Sequence, residues 1–225
     1  MGITHREIIH WYTQTLPQKT FKALEYLSQQ KWLEHTQWYL AGGTAFALHA
    51  GHRQSLDLDF FIPSKNISLN ALLKHFPENI WTTDIAQEGT VYGRLFGAKV
   101  SFIAYPFFVR MEQPSFYGSV RVLHPRDIAV MKIIAISQRG RKRDFIDLFW
   151  YVQNREPINK LLYLLPDQYP TVAHNYHHII KSLTYFADAE SDPMPKLFFK
   201  ATWQEIKKYF QKEAPRLAKE LLGLH

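Results

Sequence analysis

The chain has 225 residues, no cysteine, 46% hydrophobic residues and a formal charge of +7. Such a chain buries a core without staples, as one domain with a helical extension or as two small domains, and the missing cysteines exclude disulfides, thiolate metal sites and a cysteine nucleophile. The positive balance favours an anionic partner without naming it; no apolar run approaches the ~18 residues of a membrane span, and Met1 to His10 lacks a signal-peptide pattern, so a cytoplasmic protein with no membrane contact is expected.

From Gln18 to Glu34, Phe21, Leu24, Leu27, Trp32 and Leu33 recur at roughly helical spacing, with Thr20 as a cap. Gln37 to Leu40 reads as a short strand running into Gly42-Gly43, and Thr44 to Ala50 as a buried helix stopped by Gly51. Leu58 to Ile62 is a second strand, ended by the turn residues Pro63 to Asn66. A helix is expected over Leu69 to His75, then strands over 80–85, 90–96 and 98–105, giving a mixed sheet. Residues 106–118 read as an irregular crossover before a strand at 120–123. Pro125 opens a helix whose buried face holds Ile128, Met131, Ile134 and Ala135, with Lys132 and Arg139 on a neighbouring stripe. The next helix begins at Asp144, with Asp144 and Asp147 three apart on one face. Beyond Glu156 the pattern is helical: 158–165, 177–186 and 203–222. A soft boundary near Arg155 divides the chain into residues 1–155 and a helical domain, 156–225.

The most informative stretch runs from Ala41-Gly42-Gly43-Thr44 to Asp57-Leu58-Asp59. Alternation along a strand puts Asp57 and Asp59 on one side and Leu58 and Phe60 on the other. A glycine turn at a helix start presents unpaired N–H groups to an anion. Phosphate on the amides of Gly42, Gly43 and Thr44, and Mg2+ or Mn2+ on the carboxylates of Asp57 and Asp59, together point to a nucleoside triphosphate. The bland alternative is an acidic strand end facing water. Arg53 and Ser55, between turn and carboxylates, are further phosphate or supporting candidates. Arg139-Gly140-Arg141-Lys142-Arg143 packs four cations into five positions. They either complement a helix end or grip phosphates, with Arg139 and Lys142 the nucleotide-binding candidates.

Tyr39-Leu40-Ala41-Gly42-Gly43-Thr44-Ala45, Gly51-His52-Arg53 and Asp57-Leu58-Asp59-Phe60-Phe61 resemble the first motif of the AbiEii/AbiGii toxin family of nucleotidyltransferases. Asp127 to Lys132, Arg139 to Leu148 and Leu183 to Pro195 are similar to its downstream signatures, so the resemblance covers roughly residues 15–210. It implies an α/β (α+β) fold, in which a polymerase-β-like nucleotidyltransferase domain with a mixed sheet precedes helices. It also implies transfer of a nucleotide from an NTP to an acceptor hydroxyl, with magnesium as cofactor. A toxin with a cognate antitoxin protein, in a toxin–antitoxin or phage-defence system, is the implied setting, and tRNA or another RNA the implied acceptor. Lys132, in Lys132-Ile133-Ile134-Ala135, matches the family's phosphate-binding lysine; a snorkelling surface lysine is its other reading. Asp144 becomes a base or an orienter of Lys132, and Asp147 either joins it or pairs with an arginine at the helix surface.

Polymerase-β-like sites often add a third carboxylate from an adjacent strand, but here Lys99 or Ser101 stands at that place. The alternative to an enzyme is therefore a catalytically impaired nucleotide- or RNA-binding module of the same fold; a purely structural role for the helical half is a third reading. His174, His177 and His178 lack an acidic fourth ligand and read as surface or packing residues. His49 reads as a hydrogen-bonded core histidine, and His52 as open.

Overall fold

Alternating apolar and polar residues build a seven-stranded mixed sheet in the computed structural model, which describes residues 9–223. The signal-peptide reading of Met1 to His10 thus falls almost wholly outside the described residues. The strands are β1 Tyr39–Ala41, β2 Leu58–Ile62, β3 Trp81–Gln87, β4 Thr90–Leu95, β5 Ala98–Ala104, β6 Ser115–Tyr117 and β7 Val120–Val122, in the order β3-β4-β5-β2-β1-β7-β6. Strand β2 runs parallel to β5 and antiparallel to β1, while β3, β4 and β5 form an antiparallel meander. The helices are α1 Gln18–Ser28, α2 Lys31–Glu34, α3 Gly42–Ala50, α4 Leu69–Leu73, α5 Pro125–Gln138 and α6 Lys142–Asn154, then α7 Ile158–Leu162, α8 Leu165–Gln168, α9 Tyr176–Ser182, α10 Ala187–Glu190 and α11 Trp203–Leu222.

The sheet has two unlike faces. Leu58, Phe60, Val91, Leu95, Val100 and Phe102 are buried. Phe60 and Phe102 stack with ring centroids 5.1 Å apart, and Phe76 and Trp81 close over Phe102. Residues one step out of phase, Asp59 and Ser101 among them, face the other way, as a two-residue side-chain period requires. There α3 packs on β1 and β2, and against α5 and α6. The core continues past residue 155: Phe145 of α6 lies 5.2 Å from Phe186, 5.8 Å from Trp203 and 5.4 Å from Phe210, centroid to centroid.

Several elements differ from their sequence expectations. The helix expected over 18–34 breaks at Gln29 and Gln30 into α1 and α2. Thr20 is no cap; it is buried inside α1, where its hydroxyl donates to the Leu56 carbonyl at 2.6 Å, and Pro17 precedes the helix. Strand β6 lies within the supposed crossover, where three residues pair with β7 just after Pro114. The helices expected over 158–165 and 177–186 are shorter, and a tight turn ends each. Asp57 lies one residue before β2.

Candidate active site

Glycine decides the conformation at the junction of β1 and α3. Gly42 has φ +67°, a left-handed backbone that side-chain-bearing residues rarely adopt, and an added Cβ would sit 3.1 Å from Asp59 Oδ2. At Gly43 an added Cβ would meet the Arg53 guanidinium at 2.3 Å. The turn therefore brings the N-terminus of α3 against a carboxylate and an arginine without any intervening side chain. Loop 51–57 is fixed from both sides. Gly51, at φ +65°, ends α3, the Ser55 amide donates to Thr15 O at 3.1 Å, and Gln54 N and Phe198 N bond Lys196 O and His52 O at 2.8 Å each.

These parts line a cleft of about 570 Å3, within the range of small-molecule sites. Its floor is the polar face of β2, β5 and β4, and its other wall comes from α5 and α6. Asp57, at the rim, lies 3.5 Å from Arg143. Asp59 accepts a hydrogen bond from Ser101 Oγ at 2.7 Å, directly across the β2–β5 register. Burial, and next the charge of Asp57, push the Asp59 pKa above the usual carboxylate value against the pull of Ser101. Two neighbouring carboxylates, one poorly solvated, suit a hard divalent cation with oxygen ligands. Among the described residues no group of three or more His, Asp or Glu that could hold a metal ion is found; magnesium commonly takes one or two carboxylates and completes its octahedron with water and phosphate. Ser101 faces Asp59 across the register, and Lys99, one step along the same face, also lines the cleft.

Within the wall formed by α5, α6 and loop 51–57 lies a buried ionic cluster. Lys132 Nζ is 2.7 Å from Asp144 Oδ1 and 2.7 Å from Asp147 Oδ2. Asp147 also accepts from Arg53 Nε at 2.5 Å and Nη2 at 2.8 Å, and from His52 Nε2 at 2.7 Å. Asp147 is fully buried, so the surface reading of this residue is overturned: helical spacing of three points both aspartates inward at one lysine. Burial raises the pKa of Asp147, but Arg53 and Lys132, with the bonds from His52 and Arg53, outweigh it and hold the carboxyl well below its usual range. Burial lowers the pKa of His52 against the pull of Asp147, leaving the ring neutral, with Nε2–H donating and Nδ1 unpartnered. Two carboxylates thus balance two cations, the condition under which such charges tolerate burial.

The structure brings Gly42, Gly43, Arg53, Ser55, Asp57, Asp59, Lys132, Arg139 and Asp144 to the cleft wall. Several of them stand differently from expectation. Arg53 is paired in fork geometry with Asp147, so its position is that of a buried brace. Thr44 is buried, with its hydroxyl bonded to Ser55 Oγ at 2.9 Å and to the Asp57 carbonyl; it fixes the carboxylate loop. Lys142 turns away from the cleft to the carbonyls of Glu190 and Asp192 and the Trp203 ring, 5.3 Å off, so the expected phosphate contact is not formed. Lys132 is engaged by both aspartates, and Arg139, 58% exposed, lies 3.6 Å from Asp144. His49 bonds the Leu123 carbonyl at 3.1 Å as a core histidine does. His174 and His178 bond separate backbone carbonyls. His52, open in the sequence, joins the cluster through Asp147, whereas the cleft residues Asp84, Tyr92 and Arg94 were missed, and only strand alternation pointed to them.

A family model described as the nucleotidyl transferase AbiEii toxin of type IV toxin–antitoxin systems matches residues 25–221. An uncharacterised Aquifex aeolicus protein, aq_aa25, is 32% identical over 183 residues, covering 78% of this chain and 85% of that protein. The crystal structure of JHP933 from Helicobacter pylori superposes with a TM-score of 0.53 at 18% identity, over 92% of this chain and 95% of that one. Its likeness is one of fold.

Proposed function

The chain belongs to the AbiEii nucleotidyltransferase toxin family, and from that premise we propose that its cleft transfers a nucleotide from an NTP to an acceptor hydroxyl with magnesium as the resident ion. The observation that carries this reading is the close approach of Gly42 to Asp59, which sets the α3 N-terminus beside the carboxylate pair. In it, the amides at the start of α3 hold the triphosphate. Arg139 and Arg143, both half-exposed at the cleft, add positive charge. Asp57 and Asp59 hold the ion, which neutralises charge on the phosphates. The acceptor oxygen bonds the α-phosphorus as the bond to pyrophosphate breaks, and the hydroxyl proton passes to water. We assign Asp144 to holding Lys132 at the cleft wall rather than to proton transfer, because its side chain is fully buried. RNA, tRNA included, is the proposed acceptor class, the net charge of +7 supporting it. A cognate antitoxin and a cytoplasmic setting follow from the family's biology.

Ser101, at the place of a third carboxylate, favours one rival: a module that binds nucleotide without turnover. The deciding experiment incubates the protein with each labelled NTP, magnesium and total bacterial tRNA, and follows transfer of label. Asp57→Ala, at the cleft rim, should lower transfer at least about a hundredfold with folding intact. Lys132→Ala should also abolish it, but is read beside a melting curve because it strands two buried aspartates. Magnesium-dependent NTP binding without transfer to any RNA would favour the rival.

A further inference from the structure

The outer half of the sheet carries a surface that the chemistry above leaves unused. Register places Tyr92 of β4 opposite Ser101, which lies opposite Asp59, so the three side chains share the cleft face in one row. Ile85 of β3 continues the row beside Tyr92. Tyr92 is 41% and Ile85 50% exposed, and both line the cleft. At Thr83/Ile85 the register shifts, leaving Asp84 as an extra residue in β3. Such a bulge re-aims its side chain; Asp84 lines the cleft and meets Arg94 at 3.3 Å. From behind, the strand is clamped: a Cβ on Gly93 would strike the Trp81 ring at 2.3 Å. The result is an apolar and aromatic shelf packed on Trp81, with the Arg94–Asp84 pair at its edge.

We propose that this shelf is the acceptor subsite, and that the unpaired 3′-terminal nucleobase of an RNA stacks on Tyr92, with Arg94 reaching its phosphate. The inference rests on the nucleotidyl-transfer reading and adds the place and form of the acceptor. Direction supplies the argument. The glycine turn follows β1, on one side of Asp59, so pyrophosphate leaves toward β1. In-line displacement brings the attacking oxygen from the opposite side of the α-phosphorus, which is the side of β5 and β4. Tyr92 lies two strands beyond Asp59, about 10 Å away at ordinary strand spacing, a span that one nucleoside bridges. An aromatic face beside a guanidinium is the usual equipment for single-stranded nucleic acid. An unpaired end brings its base face to Tyr92 without a partner strand that the cleft would also have to seat, as stacking platforms for single strands do.

The test is a stacking measurement that needs no turnover. A short single-stranded oligoribonucleotide ending in 2-aminopurine is titrated with the full chain, and with Tyr92→Phe and Tyr92→Ala. Wild type and Tyr92→Phe should quench the terminal base. Tyr92→Ala should lose the quench and bind the oligonucleotide about tenfold more weakly, while binding labelled NTP within about twofold of wild type. A hairpin with the same base paired should not be quenched. Quenching that survives Tyr92→Ala, equal quenching of the hairpin, or weakening of NTP rather than oligonucleotide would each overturn the proposal, the last by giving the shelf to the incoming nucleotide. Absence of NTP binding by the wild type would instead count against the transfer reading, while the fluorescence still decides the shelf.

Discussion

Asp147 accepts hydrogen bonds from two residues of one loop and meets a lysine from a helix. Removing its charge leaves Arg53 and Lys132 buried without full compensation, a change that costs about 3–5 kcal/mol. Asp147→Asn should therefore unfold at clearly lower denaturant at pH 7. Because the folded pKa of Asp147 lies below its unfolded value near 3.9, its contribution is complete above that value and fades as pH falls through the folded one. A denaturation series from pH 7 to pH 2 should show an acid limb in the wild type that is reduced in Asp147→Asn; equal limbs would contradict the assignment. Asp57 and Asp59 were legible in the sequence because alternation and a nearby glycine turn are local signals. The role of Asp147 was not, since its partners lie 94, 95 and 15 positions away and only the fold brings them together.

Helix α3 can start where it does because Gly43 leaves room for the Arg53 guanidinium. Gly43→Ala keeps helix propensity, which on its own favours alanine by up to about 1 kcal/mol, yet its methyl group must displace an arginine held at both nitrogens by Asp147. The expected net effect is destabilisation of about 1–3 kcal/mol, read by urea denaturation, with loss of label transfer in the folded fraction. Stabilisation would mean that Arg53 can move aside. Elements with strong local pattern, α3, β2, α5 and α11, were legible from the residues; α11 even carries a capping box at Thr202 and Glu205. Strand β6 was not, because three residues after a proline offer too short an alternation, and its strand state comes from pairing with β7. The break between α1 and α2 was hidden for the opposite reason: the apolar spacing runs on across Gln29 and Gln30 while the backbone does not.

Across the whole molecule, the sheet half and the helical half divide one core between them, with Phe145 packed against Phe186, Trp203 and Phe210. Thermal unfolding followed by far-ultraviolet circular dichroism and by tryptophan fluorescence should give one coincident transition, and residues 1–155 expressed alone should lack it. Two separated transitions would instead support independent units divided near Arg155. The change of pattern at that residue was plain in the sequence, but periodicity records which face of a helix is apolar and not what covers it. The cluster around Asp147 joins the loop after α3, the middle of α5 and the first half of α6, and its members are usable only as a balanced set. In descent, that makes Arg53, Lys132, Asp144 and Asp147 a unit of inheritance: a lineage that loses one cation inside the fold must lose one anion with it, so these positions should change in concert or not at all.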